Sequence, residues 1–475
     1  MSAPQPLFLA GKPHPGASSF AVNEKFTGEG IAEVASADAK LLLEAIACAE
    51  RARPAMAQLP PYRRREVLLS VSAGIAERAA EFAELICRES GKPIRDARTE
   101  VERAIDTFRI AAEEAMRRDG HIPEVVTSPR GEGFRCLVKP VPVGVCALIT
   151  PFNFPLNLVA HKVAPAIAAG CPFLLKPASA TPLSALALGR LLADAGLPEG
   201  AFSILPMPAS ETAALIEDER IALLSFTGSA KVGWALKSRA GRKRVLLELG
   251  GNAACIVDGD QEHRLHWIAE RLLFGAFYQA GQSCISVQRI FIHERLYEAL
   301  REQLREGAAR LPVGDPRREE TVIGPMIDEN EARRVEAWIE RALARGARPI
   351  MGGVRQGALM PPHLLEGVPE DEPLSCEEVF GPVAILAPFS DFEQALRAVN
   401  RSAYGLQAGV FTGSLEHALA TWDHLEVGAV VIGDIPSVRL DAMPYGGVKG
   451  SGIGREGLRY AIAEMSEPRT LLIRG

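Results

Sequence analysis

The chain has 475 residues, 47% hydrophobic and 24% charged, and 53 Lys+Arg against 59 Asp+Glu give a net charge of -6. That length accommodates roughly two to four domains, with enough apolar material for cores that need no disulfide or metal staple. The near-balanced charge excludes the basic footprint of a nucleic-acid binder, and the composition excludes intrinsic disorder.

Residues 1–11 show no basic segment followed by an apolar one, so no secretory signal is expected. Residues 38–118 are helical and strongly charged; in 66–89 and 96–118 apolar residues recur three and four apart between Arg and Glu runs, which reads as solvated helix faces. The pattern changes over residues 119–142, where Pro123, Pro129, Gly131 and Gly133 precede an apolar run at 134–139, a strand or hairpin leaving the helical layer.

From residue 143 short apolar runs alternate with helical segments. Strands are expected at 144–149, 173–176, 202–205, 223–226 and 245–249, with helices at 156–169, 182–195, 210–217 and 230–240. A second alternation follows, with strands at 289–293, 383–388 and 408–411 and helices at 263–280 and 329–345. Buried strands alternating with helices predict α/β architecture with doubly wound parallel sheets. The last apolar run, 469–473, suits an edge strand outside either sheet. The most apolar stretch, 163–175, contains Pro165 and Pro172 and is too short for the ~20 residues of a membrane span. Eight cysteines lie scattered without a CxxC or a Cys/His cluster, the pattern of reduced, mostly buried thiols in a cytoplasmic protein, and no metal site is expected.

Five short segments carry chemistry. Thr227-Gly228-Ser229 follows an apolar strand and opens a helix, offering either a capped start or an anion site of free N–H groups. Lys176 stands at the end of a strand, with Ser179 just beyond; it is either a snorkelled lysine or a ligand for a ribose or phosphate. Cys284, in Gly281-Gln282-Ser283-Cys284, follows a helix in a loop that suits an exposed nucleophile, although lone cysteines are commonly small buried hydrophobes. No histidine is close in sequence, so a Cys-His protease gains no support. Glu248 interrupts an apolar run, where a carboxylate is costly unless paired or used, and a raised pKa would make it a general base. Asn153, between Pro151 and Pro155, could donate its amide to an oxyanion.

Together with Glu377-Glu378-Val379-Phe380-Gly381-Pro382 and Pro444-Tyr445-Gly446-Gly447-Val448-Lys449-Gly450-Ser451-Gly452, these segments resemble, in order, the motifs of the aldehyde dehydrogenase superfamily. The resemblance implies two Rossmann-like doubly wound parallel-sheet domains plus a small β oligomerisation element. The dinucleotide-binding domain would comprise 1–118 and 141–250, the catalytic domain 251–445, and an arm and tail 119–140 and 446–475. It also implies that a small-molecule aldehyde is oxidised to its acid through a thiohemiacetal and thioester on Cys284, with Asn153 at the oxyanion and Glu248 activating water. NAD or NADP would bind along Thr150, Pro151, Phe152, Lys176, Ser179, Phe226, Gly228, Ser229, Leu249, Glu378 and Phe380. Many NAD-preferring relatives have Glu where Ser179 stands; serine removes the repulsion of a 2′-phosphate, so NADP is favoured. The segment Met207-Pro208-Ala209-Ser210 lacks the glycine-rich turn common in relatives, which puts the adenine end in doubt.

The substrate funnel is expected to be lined by Phe108, Phe154, Ile285 and residues 435–445, with Arg109 and Arg439 as a clamp for an anionic or hydroxylated aldehyde. Residues 151–162 are similar to lactaldehyde and glyceraldehyde-type enzymes and 176–182 to succinic-semialdehyde dehydrogenases, so a small polar aldehyde or semialdehyde is expected. A CoA-acylating enzyme would use the same thioester, and a catalytically silent binding protein would share the fold; Glu248 argues against the first, and the intact Asn153, Glu248 and Cys284 against the second. The edge strands near 134–139 and 469–473 suggest a homodimer or homotetramer.

Overall fold

The computed structural model describes residues 3–117 and 119–475. Met1, where the expected first domain begins, and Arg118, where its first part and the expected helix 96–118 end, lie outside the described residues. Two parallel sheets dominate. The first runs through five parallel strands in the order Phe202–Ile204, Phe173–Lys176, Val145–Ile149, Ile221–Thr227 and Arg244–Glu248. Their apolar sequences bury both faces. On one face lies a core built on the helices Pro61–Glu77, Ile94–Ala115 and Asn157–Ala169, the last of them buried along its whole length. On the other lies a core built on the helix Ala39–Gln58.

Three short strands extend this sheet, none of them expected from the pattern. Leu7–Leu9 and Lys12–His14 add a hairpin at one edge. Gly452–Ile453 pairs antiparallel with Leu247 and Glu248 at the other edge, so the end of the chain returns to the first sheet. Strands of two or three residues carry too few alternations to register as a period. The expected helix 66–89 is two helices, Pro61–Glu77 and Ala79–Ser90, that meet at Arg78.

The second sheet has the order Arg348–Met351, His363–Glu366, Val383–Phe389, Arg289–His293, Ala254–Val257, Gln407–Phe411 and Ala429–Ile432, all parallel except the first. Outside both sheets, Phe134–Pro142 pairs antiparallel with Ser466–Arg474 over nine residues, forming a two-stranded arm. Among the described residues no helix is long and apolar enough to cross a membrane.

Candidate active site

The strand order of the first sheet reverses between Val145–Ile149 and Ile221–Thr227, because the chain adds strands on one side of Val145–Ile149 before crossing to the other. Open α/β sheets bind ligands at the carboxyl ends of strands beside such a reversal. The parallel register aligns Ile149 with Lys176 and with Phe226, and Thr227 with Glu248. Asn153, Thr227-Gly228-Ser229 and Glu248 therefore leave the sheet at the same end.

The second sheet faces the same cleft with its amino ends. Gly251 precedes the strand Ala254–Val257, Cys284 precedes Arg289–His293, and Glu378 and Phe380 precede Val383–Phe389. A cavity of about 1080 Å³ lies between the two, lined by Asn153, Glu248, Cys284 and Glu378 among others. That exceeds the ~300–1,000 Å³ of a typical single-ligand pocket.

The cysteine loop owes its path to an unusual turn. The helix Leu265–Phe277 ends three residues short of the expected 280, and Gln279 and Ala280 then adopt left-handed backbone at φ 52° and 55°. Gly281 continues at φ 68°, and a Cβ there would collide with the Gly381 carbonyl. A Cβ on Gly251 would likewise collide with the carbonyl oxygen of Cys284. Absence of side chains at these two glycines is what lets the cysteine and the Glu378 segment approach the first sheet.

Asn153 and the cysteine loop are tied together. The Asn153 amide donates to the Gln282 carbonyl at 3.0 Å, and the Gln279 amide donates to the Asn153 carbonyl at 2.6 Å. Cys284 is half-buried, its sulfur 2.9 Å from the Tyr445 hydroxyl. Burial pushes its thiol up to about 12 against the opposing hydrogen bond of Tyr445. Glu248 is only 5% exposed, and burial together with the charge of Glu456 holds its carboxyl well above the usual range. Glu378 accepts the Gly251 N–H at 3.1 Å, and burial raises it to about 7.

Of the expected cofactor residues, Pro151, Phe152, Gly228, Ser229, Leu249, Glu378 and Phe380 line the cleft. Phe152 and Phe380 meet edge to face at 5.8 Å. Thr150, Lys176, Ser179 and Phe226 do not line it. Thr150 donates its N–H to the Lys176 carbonyl at 3.2 Å at the strand ends, Phe226 is packed into the core, and the Ser179 hydroxyl donates to the Met207 carbonyl at 3.3 Å. The Met207–Ser210 segment runs into a short 3-10 turn, Ala209–Glu211.

The substrate end requires two corrections. Arg109 is exposed and paired with Asp106 and Glu113 of its own helix, away from the cleft. Phe108 is fully buried in the helical core. Helix phase decides both: at about 100° per residue, the face that lines the cleft carries Asp96, Thr99, Glu100 and Arg103. Arg95 and Arg103, neither singled out from sequence, are the arginines of this helix that line the cleft, and Arg439, Phe154 and Ile285 line it as expected.

A network of ion pairs near the site, centred on Glu456 and Asp441, also escaped the sequence reading. Glu456 accepts from Lys162 at 3.1 Å and from Arg439 at 2.9 Å, while Asp441 pairs with Arg103 at 2.6 Å and with His161 at 2.8 Å. One signal was available: Lys162 borders the most apolar stretch of the chain, where a charge requires a partner.

A family model described as the aldehyde dehydrogenase family matches residues 13–471. The chain belongs to the aldehyde dehydrogenase family. It is 42% identical over 470 residues to 3-sulfolactaldehyde dehydrogenase of Priestia megaterium, covering 98% of this chain and 97% of that one. Among solved structures it is similar to aldehyde dehydrogenase 21 of Physcomitrella patens in complex with the reaction product succinate, with 47% identity, TM-score 0.98, and 100% and 99% of the two chains covered. It is also similar to glyceraldehyde-3-phosphate dehydrogenase GapN of Methanocaldococcus jannaschii complexed with NADP, at 35% identity and TM-score 0.92, covering 97% and 100%. The enzyme is thus an oxidoreductase acting on aldehydes, and a nicotinamide dinucleotide is its cofactor class.

The cleft fits such a cofactor. The buried oxygens Thr227 Oγ1, Asn153 Oδ1 and Glu248 Oε2 have no protein partner. The helix Ala230–Arg239 points its start at the cleft, and the Ser229 side chain caps none of its N–H groups. Free N–H groups at a helix start suit a pyrophosphate.

Proposed function

We propose that this aldehyde dehydrogenase oxidises a small anionic or hydroxylated aldehyde to the carboxylic acid through covalent catalysis at Cys284. One observation carries the reading: Cys284, Glu248 and Asn153, from three separate segments, line one cleft. The Cys284 thiolate adds to the aldehyde carbon, and the carbonyl π pair moves to oxygen. Asn153 is held by Gln279 and Gln282 and has a second amide N–H for that oxyanion, worth about 3–4 kcal/mol in a preorganised site. A bound nicotinamide dinucleotide supplies the hydride acceptor. Glu248, with one carboxylate oxygen unpartnered, takes a proton from the water that hydrolyses the thioester. Glu378 would hold the nicotinamide ribose and Gly228 and Ser229 the pyrophosphate. Lys176 and Ser179 would meet the adenosine, and with no carboxylate at Ser179, NADP is accepted and preferred over NAD.

Arg103 and Arg439 support an anionic substrate, and so do the names of the relatives, which include 3-sulfolactaldehyde dehydrogenase and a succinate complex. We read residues 1–118 and 141–250 as the dinucleotide-binding domain and 251–445 as the catalytic domain. Residues 119–140 and 446–475 form the arm and tail, through which a cytoplasmic homodimer or homotetramer assembles. Initial rates with sulfolactaldehyde, succinic semialdehyde, lactaldehyde, glycolaldehyde and hexanal, each with NAD and NADP, test the assignment. Polar aldehydes should lead by at least about tenfold; best activity on hexanal overturns the substrate class, and strict NAD use overturns the cofactor preference. Acyl-CoA formation in place of free acid when CoA is added would overturn the role of Glu248.

A further inference from the structure

One polar contact at the nucleophile has no part in the chemistry described so far. The Tyr445 hydroxyl is 2.9 Å from Cys284 Sγ, and the tyrosine is only 3% exposed. Its backbone is clamped by reciprocal bonds with Glu456, Tyr445 N–H to the Glu456 carbonyl at 3.0 Å and the converse at 2.6 Å. The Arg439 guanidinium lies 3.7 Å above the ring centroid, and Arg439 is itself fixed by Glu456, which also holds Lys162. Backbone, ring face and hydroxyl are therefore all constrained, with the hydroxyl aimed at sulfur.

While the sulfur is a thiol, either atom of this contact can donate; once it is a thiolate, only the tyrosine can. Two carboxylates that line the same cleft, Glu378 and Glu248, disfavour a thiolate, and Arg439 favours it. The other nearby phenol, Tyr278, is committed to the Ser283 hydroxyl at 2.6 Å. A guanidinium over the ring face draws on its electron density and strengthens the phenol as a donor.

We propose that Tyr445 is a further catalytic residue, whose hydroxyl donates to Cys284 sulfur whenever that sulfur is anionic, both before attack and on departure from the thioester. The proposal rests on Cys284 being the nucleophile. In the attack, a sulfur lone pair forms the C–S bond as the carbonyl π pair moves to oxygen. In hydrolysis, water forms the new C–O bond, its proton goes to Glu248, and the C–S pair returns to sulfur. Tyr445 keeps its proton throughout, so its contribution is the strength of one hydrogen bond.

The test uses cofactor-free enzyme alkylated with iodoacetamide between pH 7 and 10, with Cys284→Ala as the correction for the other seven cysteines. A hydrogen bond to a charged group is worth ~1.5–3 kcal/mol, or about one to two pH units in the thiol midpoint. Since a more basic thiolate is also more nucleophilic, Tyr445→Phe should alkylate roughly 3- to 10-fold more slowly below both midpoints. Placing 3-fluorotyrosine at position 445, a stronger donor of nearly the same size, should shift the rate the opposite way, a reversal that a purely structural role does not produce. The thioester of Tyr445→Phe should also hydrolyse more slowly in single-turnover rapid-quench measurements. Alkylation profiles that coincide for wild type, the phenylalanine variant and the fluorotyrosine enzyme overturn the proposal. Full activity in Cys284→Ala would instead overturn the nucleophile assignment on which it rests.

Discussion

The proposed mechanism requires Cys284 and Glu248 to ionise against the shifts that burial imposes on them, and the pH dependence follows. Burial and the neighbouring charge of Glu456 raise Glu248 above the usual carboxylate range. Its basic form is the deprotonated one, so thioester hydrolysis should accelerate as pH rises and level off above that raised value. Glu248→Gln should remove the slope and slow hydrolysis by ~10²–10⁴-fold, leaving a thioester detectable by intact-mass measurement. Glu456 shifts the other way, since Lys162 and Arg439 hold its carboxyl below its ordinary value. The stability that its ion pairs contribute is present above that ordinary value, 4.5, and fades as the pH falls toward about 2. Glu456→Gln leaves buried positive charge unbalanced and should cost about 3–5 kcal/mol, read as a lower denaturation midpoint at pH 7 that converges on wild type in acid. Asn153, Glu248 and Cys284 stood out as candidates because each interrupts an apolar, proline-fixed or glycine-rich segment, and only the family resemblance joined them into one site. Arg103 did not, because choosing it over Arg109 requires the absolute phase of a helix, and a charged helix shows its buried stripe only when its neighbours are known.

At the scale of elements, the five parallel strands of the first sheet were legible because strands covered on both faces read as unbroken apolar runs, whereas Ala254–Val257, His363–Glu366 and Ala429–Ile432 of the second sheet were not singled out. The turn at Gln279 and Ala280 was not, because neither residue type signals a left-handed backbone; its cost of ~1–2 kcal/mol per residue is borne by the packing around it. Which end of each sheet faces the cleft was only half legible. The carboxyl-end rule finds the residues of the first sheet, while those of the second stand before their strands. Close approach of these ends makes Gly251 a sensitive position. Gly251→Ala should push the Cys284 carbonyl outward and lower kcat by about 10–100-fold, since a displacement of ~1 Å at a reacting group carries that penalty. Circular dichroism should show the fold retained; unchanged kcat would show that the loop relaxes around the added methyl.

For the whole molecule, the two-stranded arm is the feature that a lone subunit explains least. Leu137, Leu471, Leu472 and Ile473 are 40–57% exposed along it, and the edge strand Ala429–Ile432 of the second sheet carries Ile432 at 44%. Apolar strands with open edges invite pairing. Removing residues 466–475 should therefore shift the sedimentation coefficient from oligomer to monomer, and the double variant Leu471→Glu with Leu472→Glu should weaken association without disturbing either sheet. An unchanged coefficient in both would overturn assembly through the arm. Pairing of the two strands in one arm could not be read from the sequence, since more than three hundred residues separate them.

The return of Glu456 to Lys162 and Arg439, and of Gly452–Ile453 to the edge of the first sheet, also bears on how the enzyme is made. Glu248 leaves the ribosome roughly two hundred residues before Glu456. At ~5–20 residues per second the first sheet waits roughly 10–40 s with its edge unpaired and Lys162 without its carboxylate. During that interval Tyr445 is absent as well, so the Cys284 sulfur has no phenol beside it. The contact between Cys284 and Tyr445 forms only when synthesis is nearly complete.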